Sequence, residues 1–365
     1  MNRPTSAETH LESVGLRRVA VDDLTIRRRR CGRGFVYVDV DGRRIGDRGE
    51  LDRIRLLAIP PNYAEVRIAS DPRAHIQAIG HDDAGRTQYR YHRAWDIARE
   101  RSKVDRLAAL AGCITRIRRR IARDLSAGDL SRTRALAAVI TTIDRTHIRI
   151  GGEDYVHSGR SRGAATLLKR NVSVDGGLVN FAFRGKGGRE VRCSVDAPAL
   201  ARAIGDLRCL RGTRQFQYRD RQGAVHAVTA SEANLYLHEI AGAAVSAKDF
   251  RTLAATATAA IRFARMTPES RQAPLRRQIA SVMREVAELL GNTPTVTRKS
   301  YVHQHLVEAF ARGELERLYA RVRGSGGRTR GEAVVAALFG AAEVTAAGIR
   351  PPERRRSTEG DRATA

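Results

Sequence analysis

Lysine is scarce in a chain that is otherwise rich in positive charge. The 365 residues include 66 lysines and arginines, of which only five are lysines: Lys103, Lys169, Lys186, Lys248 and Lys299. Arginine neutralises phosphates as well as lysine does, but an ammonium group can release a proton and a guanidinium effectively cannot. The retained lysines are therefore candidates for acid–base chemistry. Composition alone is equally compatible with leftover surface lysines.

The net charge indicates a polyanionic partner. The chain has 66 basic and 40 acidic residues, which gives a formal charge of +26. Nucleic acid is the first candidate for such a partner, and an arginine-rich or ribosome-associated protein is the alternative. A membrane surface is disfavoured because the charge is spread along the chain and does not line one amphipathic segment.

Other sequence signals argue against a metal, a nucleotide cofactor or a membrane. Met1–Leu11 lacks an apolar core typical of a signal peptide, and the longest apolar stretch, Ala333–Ala342, is too short to cross a bilayer. The histidines have no metal-ligand spacing, and there is no phosphate-binding loop of the G-x-x-x-x-G-K-[ST] type. The cysteines are scattered, as expected for a reducing compartment: Cys31, Cys113, Cys193 and Cys209. We expect a soluble, cytoplasmic protein without cofactors.

The elements that position any chemistry change type near residue 95. Before it, alternating or β-branched runs predict strands at Phe35–Val40, Val66–Ile68, His75–Ile79 and Gln88–Tyr91, and Asp41-Gly42 is a hairpin signal. From Trp95 onward the apolar spacing is helical. Three alternating runs within Val172–Val195 interrupt the helices and predict a small antiparallel meander, with Lys186 at a hairpin tip.

Further helices are predicted after the meander. Thr229 and Ser246 each precede an acidic residue at capping-box spacing. Pro274 is predicted to open a helix that Gly291 ends, and another helix is predicted to carry both Tyr301 and Phe310. The fold class is therefore α+β. A small N-terminal antiparallel β domain spans residues 1–97. A larger, mainly α-helical domain with a short three-stranded sheet spans residues 98–323. A basic, partly disordered extension spans residues 324–365.

Several linked motifs lie between about Leu51 and Phe310. Two of them precede Trp95: Ile59-Pro60-Pro61-Asn62-Tyr63, and Gly85-Arg86-x-Gln88-Tyr89-x-Tyr91-His92. The others follow it: Asp144-Arg145-Thr146-x-Ile148-Arg149-x-Gly151, Phe183-Arg184-Gly185-Lys186-x-Gly188, Lys248-Asp249-Phe250-Arg251-Thr252, and Leu290-Gly291-Asn292-Thr293-Pro294 followed by Arg298-Lys299-Ser300-Tyr301-Val302-His303. In the same order, these motifs resemble those of the N-terminal and catalytic domains of type IB DNA topoisomerases of the compact bacterial and poxvirus-like kind.

The resemblance implies a transesterification that cuts one DNA strand. Tyr301 would be the nucleophile and form a 3′-phosphotyrosine, and since a phenol has a pKa of about 10, nearby cations must favour the phenolate. Arg149 and Arg251 would clamp the phosphate, and Lys186 would protonate the leaving 5′-oxygen, assisted in the proton relay by Lys248. Asn292 stands where poxvirus members carry histidine, and it can donate a hydrogen bond but no charge.

The same resemblance implies how the substrate is held. The N-terminal domain would clamp duplex DNA through Arg86, Gln88, Tyr89 and Tyr91, and Lys299 would contact DNA beside the nucleophile. The protein would act as a monomer at the nucleoid, relaxing supercoils without metal or ATP because the phosphotyrosine bond retains the energy of the cut phosphodiester.

Two alternatives remain at this level. A tyrosine recombinase shares the catalytic architecture, although recombinases typically carry His-x-x-Arg where this chain has Lys248-x-x-Arg251, and their N-terminal domain is usually helical. A non-catalytic architectural DNA-binding protein would also account for the charge of +26.

Overall fold

The computed structural model describes residues 11–153, 156, 161–324 and 327–346, with side chains omitted for residues 341–346. The chain divides into two compact units, Met1–Val104 and Asp105–Ala365. Their boundary falls inside the helix Trp95–Leu125.

The first unit contains a five-stranded antiparallel sheet, so the predicted N-terminal β fold is confirmed. The strand order is β2-β1-β3-β4-β5, and helix α1 (Arg48–Leu56) lies between β2 and β3 in the chain. Ile54 on α1 is 1% exposed and packs against the sheet. The strand bounds are β1 (Ile26–Cys31), β2 (Gly34–Val38), β3 (Ala64–Ile68), β4 (Ile76–His81) and β5 (Thr87–Tyr91).

The first strand of this sheet was not predicted, because it contains four consecutive arginines. Backbone pairing with β2 along its length and with β3 at its start makes it a strand despite its composition. Arg28 supports it by donating to the carbonyls of Pro60 and Tyr63 at 3.0 and 2.6 Å. The predicted Asp41-Gly42 turn exists, but the segment after it pairs with β2 through a single isolated bridge, between Val38 and Arg44.

The second unit is mainly helical and carries the predicted three-stranded antiparallel sheet, β6-β7-β8. A short hairpin, β9 and β10, was not predicted. The strands are β6 (Val172–Asp175), β7 (Leu178–Arg184), β8 (Glu190–Asp196), β9 (Gln217–Arg219) and β10 (Val225–Ala227). The helices are α2 (Trp95–Leu125), α3 (Arg132–Thr146), α4 (Pro198–Leu207), α5 (Ala230–Ala241), α6 (Ala247–Ala264), α7 (Gln272–Leu290), α8 (Pro294–Ser300), α9 (Gln304–Ala311), α10 (Glu314–Arg321) and α11 (Arg330–Ala346).

Helix α6 lies at the centre of this unit and is buried on most of its surface. It is rich in alanine and threonine, whose small side chains allow helices α3, α7 and α11 to pack closely around it. Phe263 near its end stacks on Phe310 of α9, with ring centroids 4.4 Å apart. The close packing gives the residues of α6 fixed positions.

The helix boundaries confirm some predictions and correct others. The capping box at Thr229 is present, with Glu232 N donating to Thr229 Oγ1 at 3.2 Å and Thr229 N donating to Glu232 Oε2 at 2.9 Å. Helix α7 begins at Gln272, so Pro274 is its third residue, where the backbone N–H is still unpaired in a helix. The prediction of one helix carrying both Tyr301 and Phe310 was wrong, because α8 ends at Ser300 and α9 starts at Gln304.

The C-terminal segment contributes a packed helix. Helix α11 is longer than the apolar stretch predicted from sequence, and Val334, Val335 and Phe339 are fully buried. The predicted disorder from about residue 349 lies outside the described residues. None of the helices described here is long and apolar enough to cross a membrane.

Candidate active site

Arg149 follows directly after helix α3 and is fixed by its backbone. Ala164 N donates to the Arg149 carbonyl at 2.8 Å, and Ala165 N donates to Ile150 O at 2.8 Å. A Cβ added to Gly151, whose φ is +78°, would lie 2.7 Å from the backbone nitrogen of Gly163. Only glycine permits this close backbone crossing, so the crossing restrains the main chain that carries Arg149.

A network of ion pairs fixes the end of helix α3 just before Arg149. Arg118 of α2 donates Nε and Nη2 to the two carboxylate oxygens of Asp144, both at 2.8 Å. The same guanidinium donates Nη1 and Nη2 to Glu332 of α11 at 2.9 and 2.7 Å. The network therefore joins the Arg149 segment to helices before and after it in the chain.

Lys186 lies at the tip of the β7–β8 hairpin, as predicted. Gly185 N donates to Arg189 O at 2.8 Å, and Gly187 and Gly188 both have positive φ. The lysine side chain is exposed and forms no hydrogen bond or ion pair with the described residues. It is free to approach a bound substrate.

Arg251 lies in the second turn of α6 and is 3% exposed. Its Nη2 donates to the carbonyl of Leu290, the last residue of α7, at 2.9 Å. Its Nε is buried and has no hydrogen-bond partner among the described residues. Burial lowers the pKa of Arg251, and the Arg149 charge lowers it further, against the opposing effect of Tyr301. A buried cation with an unpaired donor is suited to bind an anion.

Asn292 lies between Arg149 and Tyr301 and contacts both. It follows Gly291, the left-handed residue that ends α7, and its backbone N–H donates to Ala287 O at 2.8 Å. Its Oδ1 accepts from Arg149 Nη2 at 2.5 Å. Its Nδ2 is buried and has no partner with normal hydrogen-bond geometry among the residues that the structure describes. The amide is therefore oriented by Arg149, with its donor group left available.

Tyr301 lies in the break between α8 and α9, where its backbone is held at both ends. Its N–H donates to Thr297 O at 3.0 Å, and its carbonyl accepts from Thr256 Oγ1 of α6 at 2.9 Å. The Arg251 guanidinium carbon lies 5.4 Å from the centre of the Tyr301 ring. Tyr301 is 8% exposed, so α8 holds its N–H, α6 holds its carbonyl, and Arg251 of α6 lies against its ring.

The electrostatic environment of Tyr301 favours the phenolate. Burial by itself raises the pKa of the phenol, but the charge and polar contact of Arg251, the charge of Arg149 and the amide of Asn292 outweigh burial. The net result is a pKa below the ordinary value of 10. A lowered pKa is one of the ways in which a nucleophilic side chain is activated.

Three of the predicted catalytic residues line a single cleft. Its volume is about 250 Å³, and its walls include Arg149, Lys186 and Arg251. Tyr301 is not part of this wall, but it contacts Arg251, which is. Sequence reasoning did not single out two other residues of the cleft, His147 and Arg162. His147 occupies the position left open in the motif around Arg149, so no motif signal could have identified it.

The remaining predicted residues lie outside the cleft wall. Lys248 and Lys299 are exposed, in the first turn of α6 and the last turn of α8 respectively. Among the described residues, no cluster of histidine, cysteine, aspartate or glutamate could hold a metal ion.

The residues predicted to contact DNA in the first unit form a surface of β5. Tyr89 and Tyr91 are 43% and 42% exposed and stack with ring centroids 5.9 Å apart. Arg86 and Gln88 both donate to Asp82 Oδ2, at 2.7 and 2.9 Å. Arg86, by its hydrogen bond to the carboxylate, lowers the pKa of Asp82 to about 2. The aromatic rings are therefore accessible, while the two polar side chains are already paired with an aspartate.

Comparison with known proteins connects this geometry to a family. Residues 93–320 match the family described as eukaryotic DNA topoisomerase I, catalytic core, and residues 34–82 match bacterial DNA topoisomerase IB, N-terminal domain. The chain is also 29% identical over 293 residues to DNA topoisomerase 1B of Acanthamoeba polyphaga mimivirus, an alignment that covers 78% of this chain and 87% of that protein. Each residue of the cleft lies within the first of these matches.

Proposed function

Because the chain belongs to the type IB DNA topoisomerases, we propose that Tyr301 is the nucleophile with which it cuts one strand of duplex DNA. The enzyme is an isomerase that acts on DNA. The observation that carries the assignment is the position of Tyr301, which is 8% exposed and has the Arg251 guanidinium carbon 5.4 Å from its ring centre. In this position Arg251, Arg149 and Asn292 lower the pKa of the phenol against the effect of burial.

The proposed reaction is a pair of reversible transesterifications. The Tyr301 oxygen attacks the scissile phosphorus, a 3′-phosphotyrosine bond forms, and the bond from phosphorus to the 5′-oxygen breaks. The freed 5′-hydroxyl later attacks the phosphotyrosine, and Tyr301 leaves. Because one phosphodiester is exchanged for another of similar energy, supercoils relax between the two steps without ATP. No step requires a metal ion.

Arg149, Arg251 and Asn292 are proposed to stabilise the negative charge on the phosphate in the transition state. Within the described part of the chain, Arg251 Nε and Asn292 Nδ2 are buried donors without hydrogen-bond partners, and a nonbridging phosphate oxygen would satisfy them. Donors that are fixed before the substrate binds need no reorganisation during the reaction. Asn292 contributes a dipole and no net charge, so its contribution is smaller than that of either arginine.

Lys186 is proposed to be the general acid that protonates the leaving 5′-oxygen. Its ammonium group can transfer a proton, and its position at the tip of a glycine-containing hairpin lets it approach the phosphate in the cleft. Lys248, exposed one turn before Arg251 on α6, is proposed to assist the proton relay from outside the cleft wall.

The enzyme is proposed to act as a monomer that clamps duplex DNA in the cytoplasm, at the nucleoid. Its charge of +26 would bind the phosphate backbone. Tyr89 and Tyr91 would contact bases, and Lys299 would contact DNA beside the nucleophile. Arg86 and Gln88 would release their hydrogen bonds to Asp82 and bind DNA in its place.

The test is the Tyr301→Phe variant, which loses only the hydroxyl group. We expect it to bind duplex DNA as the wild type does but to give no relaxation of a supercoiled plasmid and no covalent adduct on denaturing gels. The wild-type adduct should map to Tyr301 through a 3′-phosphate, in the presence of EDTA and without nucleotide. Adduct remaining in the purified variant would show that the nucleophile is another residue.

A further inference from the structure

His147 is a histidine of the cleft wall for which the proposed mechanism has no use. It ends helix α3, with its N–H donating to Ile143 O at 2.9 Å, and it lines the cleft together with Arg149 and Arg251. Its φ of 57° is left-handed, a conformation in which histidine is enriched among non-glycine residues. The backbone therefore holds the ring in the cleft wall, two residues before a phosphate-binding arginine.

The His147 ring has an unused polar atom. Its Nδ1 is buried and has no hydrogen-bond partner among the described residues. A buried N–H without a partner is unfavourable, so the free protein favours the neutral ring with the proton on the other nitrogen. An anion in the cleft would change this balance, since it would stabilise the doubly protonated ring.

The charged groups around His147 belong to four elements. Asp144 is on its own helix, Arg118 on α2, Arg251 on α6 and Glu332 on α11. Burial is the largest cause and lowers the pKa of His147. Asp144 and Glu332 raise this pKa, whereas Arg251 and Arg118 lower it. The net result is a pKa below the ordinary value of 6.5. The cleft wall adds a mainly basic set: Arg149, Arg162, Lys186, Arg189, Arg192, Glu190 and Glu288.

The two nearest carboxylates are not available to hold a proton on His147. Asp144 and Glu332 both accept hydrogen bonds from Arg118, so their charge is largely neutralised by that guanidinium. Arg251 donates to a carbonyl, and among the described residues it has no carboxylate partner and its Nε has no hydrogen-bond partner. In the absence of DNA, the surroundings of His147 therefore disfavour the imidazolium.

We propose that His147 is a pH-dependent phosphate ligand of the active site, neutral in the free protein and protonated when a backbone phosphate of DNA enters the cleft. The inference rests on the proposed function, because the anion that it requires is the DNA backbone held by Arg149 and Arg251. It adds one cation to the site when DNA is bound and removes it when DNA leaves.

The sign of the pH dependence follows from the two states. Phosphate raises the pKa of His147 in the complex above its lowered value in the free protein, so binding takes up a proton between these two values. The extra affinity is fully present below the pKa of the free protein and is lost as the pH rises through the pKa of the complex. A difference of one between the two pKa values corresponds to about a tenfold change in affinity.

The experiment compares His147 with asparagine, which tolerates the left-handed conformation but cannot be charged. Dissociation constants for a duplex oligonucleotide are measured from pH 5.5 to pH 8.5 by fluorescence anisotropy at constant salt. Both proteins carry Tyr301→Phe, so no covalent step contributes. We expect the two to bind equally at the alkaline end and the His147 protein to bind about tenfold more tightly at the acid end.

The matched control is His238→Asn, which replaces an exposed histidine of α5 outside the cleft wall and should leave the pH profile unchanged. His147→Gly is a second uncharged variant that accepts the left-handed backbone. It should give the same pH profile as His147→Asn, and it takes the place of that variant if His147→Asn folds poorly. Parallel profiles for His147 and both variants would overturn the proposal. Covalent adduct formation is measured separately in the protein that retains Tyr301. Loss of the adduct would contradict the proposed function, whereas unchanged pH profiles with the adduct present would contradict only the role of His147.

Discussion

Arg251 is expected to supply most of the stabilisation of the Tyr301 phenolate. The Arg251 guanidinium carbon lies 5.4 Å from the centre of the Tyr301 ring, and two unit charges about 5 Å apart interact by about 3 kcal/mol at an effective dielectric constant of about 20. Replacing Arg251 by glutamine removes this charge and leaves burial opposed only by Arg149 and Asn292. The pKa of Tyr301 should therefore rise, and the phenolate fraction at a fixed pH should fall by about a hundredfold.

The assay is a spectrophotometric titration of tyrosinate absorbance without DNA. The chain has nine tyrosines, so the titration of Tyr301→Phe is subtracted in each background to isolate the contribution of Tyr301. Because no phosphate is present, the role of Arg251 in binding the substrate does not enter the measurement. Thermal unfolding shows whether the variant is folded, since it also loses the hydrogen bond to Leu290.

Lys299→Gln is the control for this experiment. Lys299 is an exposed cation two residues before Tyr301, and solvent screens its charge. We expect this variant to titrate as the wild type does. If Tyr301 ionised at the same pH in the wild type and in Arg251→Gln, the electrostatic account of the nucleophile would be refuted.

Two further predictions concern the hairpin lysine and the ion-pair network. Lys186→Ala should slow single-turnover cleavage by about 10²–10⁴-fold, and a substrate with sulfur in place of the leaving 5′-oxygen should restore cleavage in this variant but not in Arg149→Ala. If sulfur rescues neither variant, Lys186 is a phosphate ligand and not the acid. Glu332→Gln should lower the free energy of unfolding by about 1–3 kcal/mol in denaturant titrations, because it weakens one of the two carboxylate contacts of Arg118. An unchanged free energy would mean that Asp144 alone is sufficient for the network.

The sequence alone was sufficient to predict the class of fold and to name the candidate residues of the site. A lysine in a glycine-rich turn, two arginines with matching flanking residues and Tyr301 could be identified because each is defined by residue type and local spacing. The three-stranded meander was also predictable, since its strands alternate and its turns contain glycine. These are properties of short segments, which a linear sequence displays directly.

Only the tertiary structure decided how these segments act on one another. A run of four arginines became strand β1 because neighbouring strands pair with its backbone, a contact that no local pattern indicates. The burial of Arg251 and the break in the helices at Tyr301 depend on how α6 packs against α7 and α8. His147 lies in the cleft wall as the left-handed residue that ends α3. Burial and the field of distant charges set the pKa values of Tyr301 and His147, and both depend on residues far apart in the chain.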